Sequence, residues 1–319
     1  MNLRPFALLL ALVALSASAQ PYPTKPVKIV ASSLPGGGVD LVARTVAEQL
    51  QRALQQSFVV ENNAGGGGSI ASQSVARAAP DGYTLMVGYV ATHGTNPAVR
   101  KVPYDPVKDF TAIAMVGGTP NVLVVNASFP ASDLKGLLDY MKKNPTRVST
   151  ATGGIGTLTH LILEQLKGAG GLDVVTVHYR SIAPAFTELI AGQVNVLMPG
   201  LAAGLPHIRG KKIRPIAVTG VKRHPLLPDV PTFEESGFAG FDGLQWYGIV
   251  GPARLPADIT ARLNAEINKS LASPALRERL SAEALEPMPM SPEQFGAFIQ
   301  TELARWSKLA RERNISLDD

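Results

Sequence analysis

The chain contains no cysteine, which excludes a disulfide framework, a thiolate zinc site and a lipid-anchored cysteine behind a leader. Beyond the first twenty residues no stretch approaches the roughly 18 uninterrupted apolar residues of a membrane span. Aromatic residues are sparse at 6%. The basic residues give a formal charge of +5 but are dispersed, the pattern of solvated helical faces and not of a nucleic-acid footprint. Nucleotide motifs are also missing: no Gly-Lys-Ser/Thr follows any glycine-rich turn, and Gly36-Gly37-Gly38 lacks the G-x-G-x-x-G spacing of a dinucleotide fingerprint. His93, His160, His178, His207 and His224 show no H-x-x-x-H or H-E-x-x-H spacing, so no metal site is expected. No G-x-S-x-G elbow occurs. No cofactor is implied by what remains.

The N-terminus carries a signal of its own. Arg4, an apolar run over residues 6–15 and Ala17-Ser18-Ala19 before Gln20 fit a secretory leader cleaved after Ala19. A soluble, unanchored exported protein is expected, most simply in a bacterial periplasm. Short β-branched runs at 27–30, 58–60, 84–90, 121–125, 174–178, 194–198, 213–219 and 246–250 alternate with helical periodicity. The helical patterns include Val39/Val42/Val46/Leu50, Leu134/Leu137/Leu138/Met141 and Leu158/Leu161/Leu166. This alternation predicts an α/β fold of two lobes, each a mostly parallel sheet flanked by helices. Two longer patterns, Ile259/Leu263/Ile267/Leu271 and Phe295/Phe298/Ile299/Leu303/Trp306/Leu309, predict a helical C-terminal tail packed back on the first lobe.

One arrangement occurs twice. Pro35-Gly36-Gly37-Gly38 follows a strand and opens a helix near Asp40; Gly153-Gly154-Ile155-Gly156-Thr157 follows another and opens a helix carrying His160. Each places the unpaired first-turn amides of a helix beside bare glycine backbone, which attracts anions. Glycines that merely make a tight strand-to-helix turn are the alternative. A carboxylate needs only two or three oriented donors, which the amides with Ser32, Ser33, Thr152 or Thr157 can provide. Asp40 repels an anion and is expected to hold loop amides in place. His160 is the histidine placed to see a ligand, as a donor and, when protonated, as a charge; a capping or packing role is its alternative. A third glycine-rich stretch, residues 62–85, is a further candidate anion site by composition and reads as a structural turn ahead of a helix.

Six segments together resemble a known family: Tyr22-Pro-Thr-Lys-Pro-Val-Lys-Ile-Val, Gly36-Gly-Gly-Val-Asp-Leu-Val-Ala-Arg, Pro80-Asp-Gly-Tyr-Thr-Leu, Pro103-Tyr-Asp-Pro-Val-Lys-Asp-Phe, Gly156-Thr-Leu-Thr-His-Leu and Pro228-Asp-Val-Pro-Thr-Phe-Glu-Glu-Ser-Gly. They are similar, in order and across the chain after the leader, to the tripartite tricarboxylate transporter solute receptors of the Bordetella uptake gene (Bug) type. The resemblance implies a type II-like periplasmic binding protein, with residues 20–122 and 236–319 in lobe 1 and residues 123–235 in lobe 2. It further implies a small organic carboxylate clamped between the lobes, inner-membrane transporter subunits as partners, no enzymatic activity and a monomer. The ligand contacts expected are Ser32, Ser33, Gly36, Gly37, Gly38, Asp40, Thr92, Thr152, Gly154, Gly156, Thr157, His160, Pro199 and Gly200. Ser32-Ser33, Asn195-Val-Leu-Met-Pro199-Gly200 and Thr176-Val-His178-Tyr179-Arg180-Ser181 depart from the family's usual residues, adding hydroxyls and removing negative charge, so a relative's ligand is not carried over. A receptor feeding a sensor, and an exported enzyme using His160 with Ser33 or Thr157, are the alternatives.

Overall fold

In the computed structural model of the chain, residues 22–317 are described; the expected leader lies outside them. Three strands, β1 (Val27–Ala31), β2 (Phe58–Asn62) and β3 (Thr84–Tyr89), begin the first sheet, β1 lying between and parallel to both others. Parallel neighbours need crossover helices. Helix α1 (Gly38–Leu54) supplies one, burying Val39, Val42, Val46 and Leu50 on one stripe, the spacing of a helix laid on a sheet. A second crossover is α2 (Ser69–Ala76). After β3 a π-helical turn, Ala91–Thr95, leads into the short α3 (Asn96–Val99).

Strand β4 (Phe110–Pro120) runs through Asn121 directly into β5 (Val122–Asn126), so one stretch of chain leaves the first sheet and enters the second. There follow α4 (Leu134–Lys143), β6 (Ser149–Thr152), α5 (Leu158–Gly170), β7 (Val175–His178), α6 (Ile182–Ile190), β8 (Val196–Leu197), α7 (Leu201–Arg209) and β9 (Ile213–Val218). The second sheet has the order β7-β6-β8-β5-β9. The chain then returns to the first sheet as β10 (Leu244–Pro252), between β3 and β4 and antiparallel to both. The first lobe is completed by α8 (Ala257–Leu271), α9 (Pro274–Ala282), β11 (Glu286–Pro287) and α10 (Pro292–Glu312). Among the described residues no helix is long and apolar enough to cross a membrane.

Both sheets are mixed, which corrects the expectation of mostly parallel ones. β10 and β11 oppose β4, and β5 opposes β8 and β9. The strands that carry the chain between lobes run against the βαβ strands, so parallel order survives only where a helix crosses over. The two crossings are tied together at a buried point. Thr219 donates its amide to the Asn121 carbonyl at 2.9 Å, and its hydroxyl to the Gly243 carbonyl at 2.6 Å. Asn121 returns its own amide to Thr219 Oγ1 at 2.9 Å. On the outer face of the first sheet Trp246, Phe295 and Trp306 pack together, and both indole N–H groups donate to Glu302 at 3.1 Å. Leu158 and Leu161 of α5 enter this same cluster, so the second lobe is seated against the first along one side.

Candidate functional site

Between the lobes lies a cleft of about 650 Å³. Its floor is Thr119 of β4 with Gln245 and Tyr247 of β10, on the two strands that connect the lobes. One wall is Gly36, Gly37, Gly38, Leu41 and Arg44; the other is Thr159, Ile182, Gly200, Ala202 and Ala203, the last four at the starts of α6 and α7. Glu283 and Leu285 line it from the turn between α9 and β11.

The first wall is set by Asp40. Its carboxylate accepts from the Gly36 amide at 2.9 Å, Arg44 Nε at 3.0 Å and Asn62 Nδ2 at 2.9 Å. These contacts, the Arg44 hydrogen bond foremost, hold its pKa at about 2 although burial opposes them. Asp40 is 4% exposed, so its charge is spent on the loop, as the sequence suggested. The first helical bond of this turn runs from the Leu41 amide to the Gly37 carbonyl at 2.9 Å. The amides of Gly38, Val39 and Asp40 therefore precede any intrahelical acceptor, and no side chain caps α1. They form the positive pole of a long helix, at the edge of the cleft. A Cβ on Gly38 would lie 2.5 Å from Tyr247 Oη. Glycine is what lets this helix start come down onto the cleft floor.

The second glycine loop is built differently. Three of its amides are taken by nearby side chains: Gly153 donates to Thr159 Oγ1 at 2.9 Å, Gly154 to Thr152 Oγ1 at 3.2 Å and Gly156 to His160 Nδ1 at 3.1 Å. Thr157 Oγ1 donates to the Gly154 carbonyl at 2.7 Å. Gly156 has φ 74°, and a Cβ there would meet Val99 Cγ2 at 2.7 Å; the loop is packed onto the first lobe. Thus Thr152, Gly154, Gly156 and Thr157 do not line the cleft. His160, 6% exposed, lies edge-on to His178 with ring centroids 4.6 Å apart. Burial, followed by the neighbouring His178, pulls its pKa down to about 4. It is the capping partner of the Gly156 amide, the alternative the sequence left open for it, and is neutral near pH 7.

Four more expected contacts fall outside the cleft wall. Thr92 is fully buried, its hydroxyl 2.9 Å from His93 Nδ1. Ser32 is buried beneath Gly68, and Ser33 Oγ donates to its neighbour's carbonyl, that of Leu34. Pro199 is buried, its carbonyl accepting from the Val122 amide. The glycine run of that third stretch is a turn: Gly65, Gly66, Gly67 and Gly68 all have positive φ, and the Gly67 carbonyl accepts from Asn96. Of the residues expected from sequence, Gly36, Gly37, Gly38, Asp40 and Gly200 line the cleft. Thr119, Gln245 and Tyr247 were missed because they sit in strands; only their place on the crossing between lobes marks them. Among the described residues no group of three His, Asp or Glu side chains is placed to hold a metal.

Two α/β lobes joined by crossing strands, with helix starts facing a cleft between them, define a two-lobe solute-binding protein. The model of the tripartite tricarboxylate transporter family receptor matches residues 42–315, and the chain belongs to this family. It is 32% identical over 308 residues to protein BugT of Bordetella pertussis, spanning 96% of this chain and 94% of that one. Its fold is similar to that of Rpa4515 of R. palustris, solved with adipate, at 33% identity and a TM-score of 0.82 over 92% of this chain and 99% of that one. MatC of Rhodopseudomonas palustris, solved with malate, is similar at 32% identity and a TM-score of 0.77, over 90% and 99%.

Proposed function

We propose that this chain is a monomeric periplasmic receptor that captures a small organic carboxylate between its lobes and delivers it to the membrane subunits of a tripartite tricarboxylate-type transporter. The observation that carries the reading is the start of α1, where the Gly38, Val39 and Asp40 amides precede the first helical bond and border the interlobe cleft. A carboxylate there would receive oriented neutral donors at a helix N-terminus. Its own charge would not meet that of Asp40, which Arg44 offsets. The adipate and malate in two family structures support the same class of solute.

Binding drives closure only insofar as the solute binds the closed form better than the open one. The floor residues Thr119, Gln245 and Tyr247 and the second wall at Ile182 and Gly200 would supply that difference. No bond in the solute needs to change, and no catalytic residue is assigned: the Nδ1 of His160 is committed to the Gly156 amide. The test is mass spectrometry of solute released from the purified protein, followed by thermal-shift titration of the acids found. Co-purification of a carboxylate that raises the melting temperature is expected. A released solute without an acid group would contradict the proposal.

A further inference from the structure

Beside the crossing strands the lobes also meet through a turn of the first lobe and a loop of the second. The turn follows α9. Ala284 and Leu285 give their amides to the Ser281 and Leu280 carbonyls, each at 2.9 Å, and Glu286 and Pro287 pair as β11 with Gly118 and Gly117 of β4. Helix endings of this kind usually place glycine at the left-handed residue. Here it is Ala284, with φ 54°. Its methyl is fully buried in the apolar cluster of the second lobe, with Val218, Leu227 and Val230. That contact accounts for a side chain on backbone that disfavours one. The residues on either side, Glu283 and Leu285, line the cleft. The facing loop belongs to the second lobe, since the Val218 amide donates to the Pro231 carbonyl at 2.9 Å and the Phe233 amide to the Val218 carbonyl at 3.0 Å. It carries His224, which is 5% exposed. His224 Nδ1 accepts from the Leu226 amide at 3.2 Å, so the neutral ring holds its proton on Nε2. Nε2 is buried without a hydrogen-bond partner and stands 3.7 Å from Glu286 Oε1, too far for a hydrogen bond. Lys222 Nζ lies 3.8 Å from the other oxygen of the same carboxylate.

We infer that Glu286 is a positioning residue for solute capture: as the cleft narrows, its carboxylate accepts a hydrogen bond from His224 Nε2 and latches the turn carrying Leu285 to the second lobe. This rests on the receptor reading above. A buried donor left with an acceptor just out of reach calls for a state in which the two meet. The approach needed is about 1 Å, a small displacement that suits a contact lying next to the crossing strands. The latch also carries charge. Glu286 from β11 and Lys222 on its own loop are the charged groups facing His224. Burial foremost holds the His224 pKa below its ordinary value; Glu286 opposes this and Lys222 adds to it. A completed bond to the carboxylate favours the protonated ring, so closing takes up a proton. By linkage, protons then favour the closed form and solute affinity rises as pH falls from 8 to 6.

The first readout needs no solute. Because the chain has no cysteine, Leu34→Cys and Arg180→Cys, at exposed positions on opposite lobes, take one pair of spin labels for pulsed electron paramagnetic resonance. Lowering the pH from 8 to 6 is expected to raise the population at the shorter interlobe distance, and His224→Gln and Glu286→Gln are each expected to abolish that change. The second readout is calorimetry with the acid released from the purified protein. Binding should be roughly three- to ten-fold tighter at pH 6 than at pH 8, and this ratio should fall to about one in both variants; thermal melting checks that they are folded. A distance distribution that ignores pH overturns the inference, as does a pH response that survives in His224→Gln. Weaker binding by Glu286→Gln without any pH dependence in the unmodified protein makes the contact merely structural and overturns it too. Since the spin-label measurement uses no solute, its failure leaves the receptor reading standing.

Discussion

Asp40 and Gly37 stand three residues apart and are expected to respond to mutation in opposite ways. Asp40 holds Gly36, Arg44 and Asn62 together, so Asp40→Ala should cost about 1–3 kcal/mol of stability, seen as a lower urea midpoint, with a smaller loss of affinity. Gly37 has φ −84° and its nearest neighbour to an added Cβ is Ser33 Oγ at 3.6 Å. Gly37→Leu should therefore fold normally while its side chain blocks approach to the α1 amides, abolishing solute-induced thermal stabilisation. Gly156→Leu makes no such clean test, because its positive φ and its contact with Val99 would break the loop itself. The pH dependence has a definite sign. His160 titrates at about 4 when folded and at its ordinary 6.5 when unfolded, so the unfolded chain binds more protons between these values. Stability is full above about 6.5 and falls as pH drops toward 4. His93, pushed down to about 3 by burial, adds to the same slope. Urea unfolding at pH 7 and pH 5 should show the loss, and His160→Gln should lessen it; an unchanged slope in that variant would show that His160 is not the buried neutral group described.

At the scale of elements, what the sequence revealed followed amphipathic periodicity. α1, α4, α5, α8 and α10 each bury one stripe, and all five were legible from residues such as Val39/Val42/Val46 and Ile259/Leu263/Ile267. α6, α7 and α9 were not. α6 is rich in apolar residues on several sides, α7 contains Gly204 and Pro206, and α9 buries only Leu276 and Leu280. The eleven-residue β4 was missed because Gly117-Gly118 reads as a break. In the folded chain those glycines admit close neighbours, since a Cβ at Gly117 would sit 2.4 Å from the Glu286 carbonyl oxygen. Half of the site shared this fate: the first glycine loop is local in sequence and was visible, whereas the floor depends on which strands cross between lobes. The same elements also join the lobes. Glu164 of α5 accepts from Arg313, just beyond α10, at 2.9 Å and from Lys167 at 2.7 Å, joining the second lobe to the first. Removing this bridge by Arg313→Ala should weaken solute binding by roughly three- to ten-fold, about 1 kcal/mol for a partly exposed pair, if closure draws on it. Calorimetry with an unaltered affinity would show that the bridge persists in the open form.

For the molecule as a whole, the proposed attraction of the solute by backbone donors in a closed cleft predicts little sensitivity to salt. Mobile ions shorten the Debye length from roughly 10 Å at 0.1 M to 3 Å at 1 M, which weakens an exposed lysine cluster far more than short-range amide contacts. The dissociation constant is expected to change by less than about three-fold over that range, checked by calorimetry in potassium chloride. The secretory leader expected from the sequence makes a separate prediction: N-terminal sequencing of periplasmic material should begin at Gln20. The measurement that bears most directly on the central claim pairs a carboxylic acid that binds with the primary amide of the same acid, titrated into the unmodified protein and into Gly37→Leu. If the α1 amides hold the solute by its negative charge, the acid binds the unmodified protein at least ten-fold more tightly than the amide, about 1.4 kcal/mol, and the variant binds neither. Equal affinity for acid and amide, or full retention of acid binding in Gly37→Leu, would contradict the account.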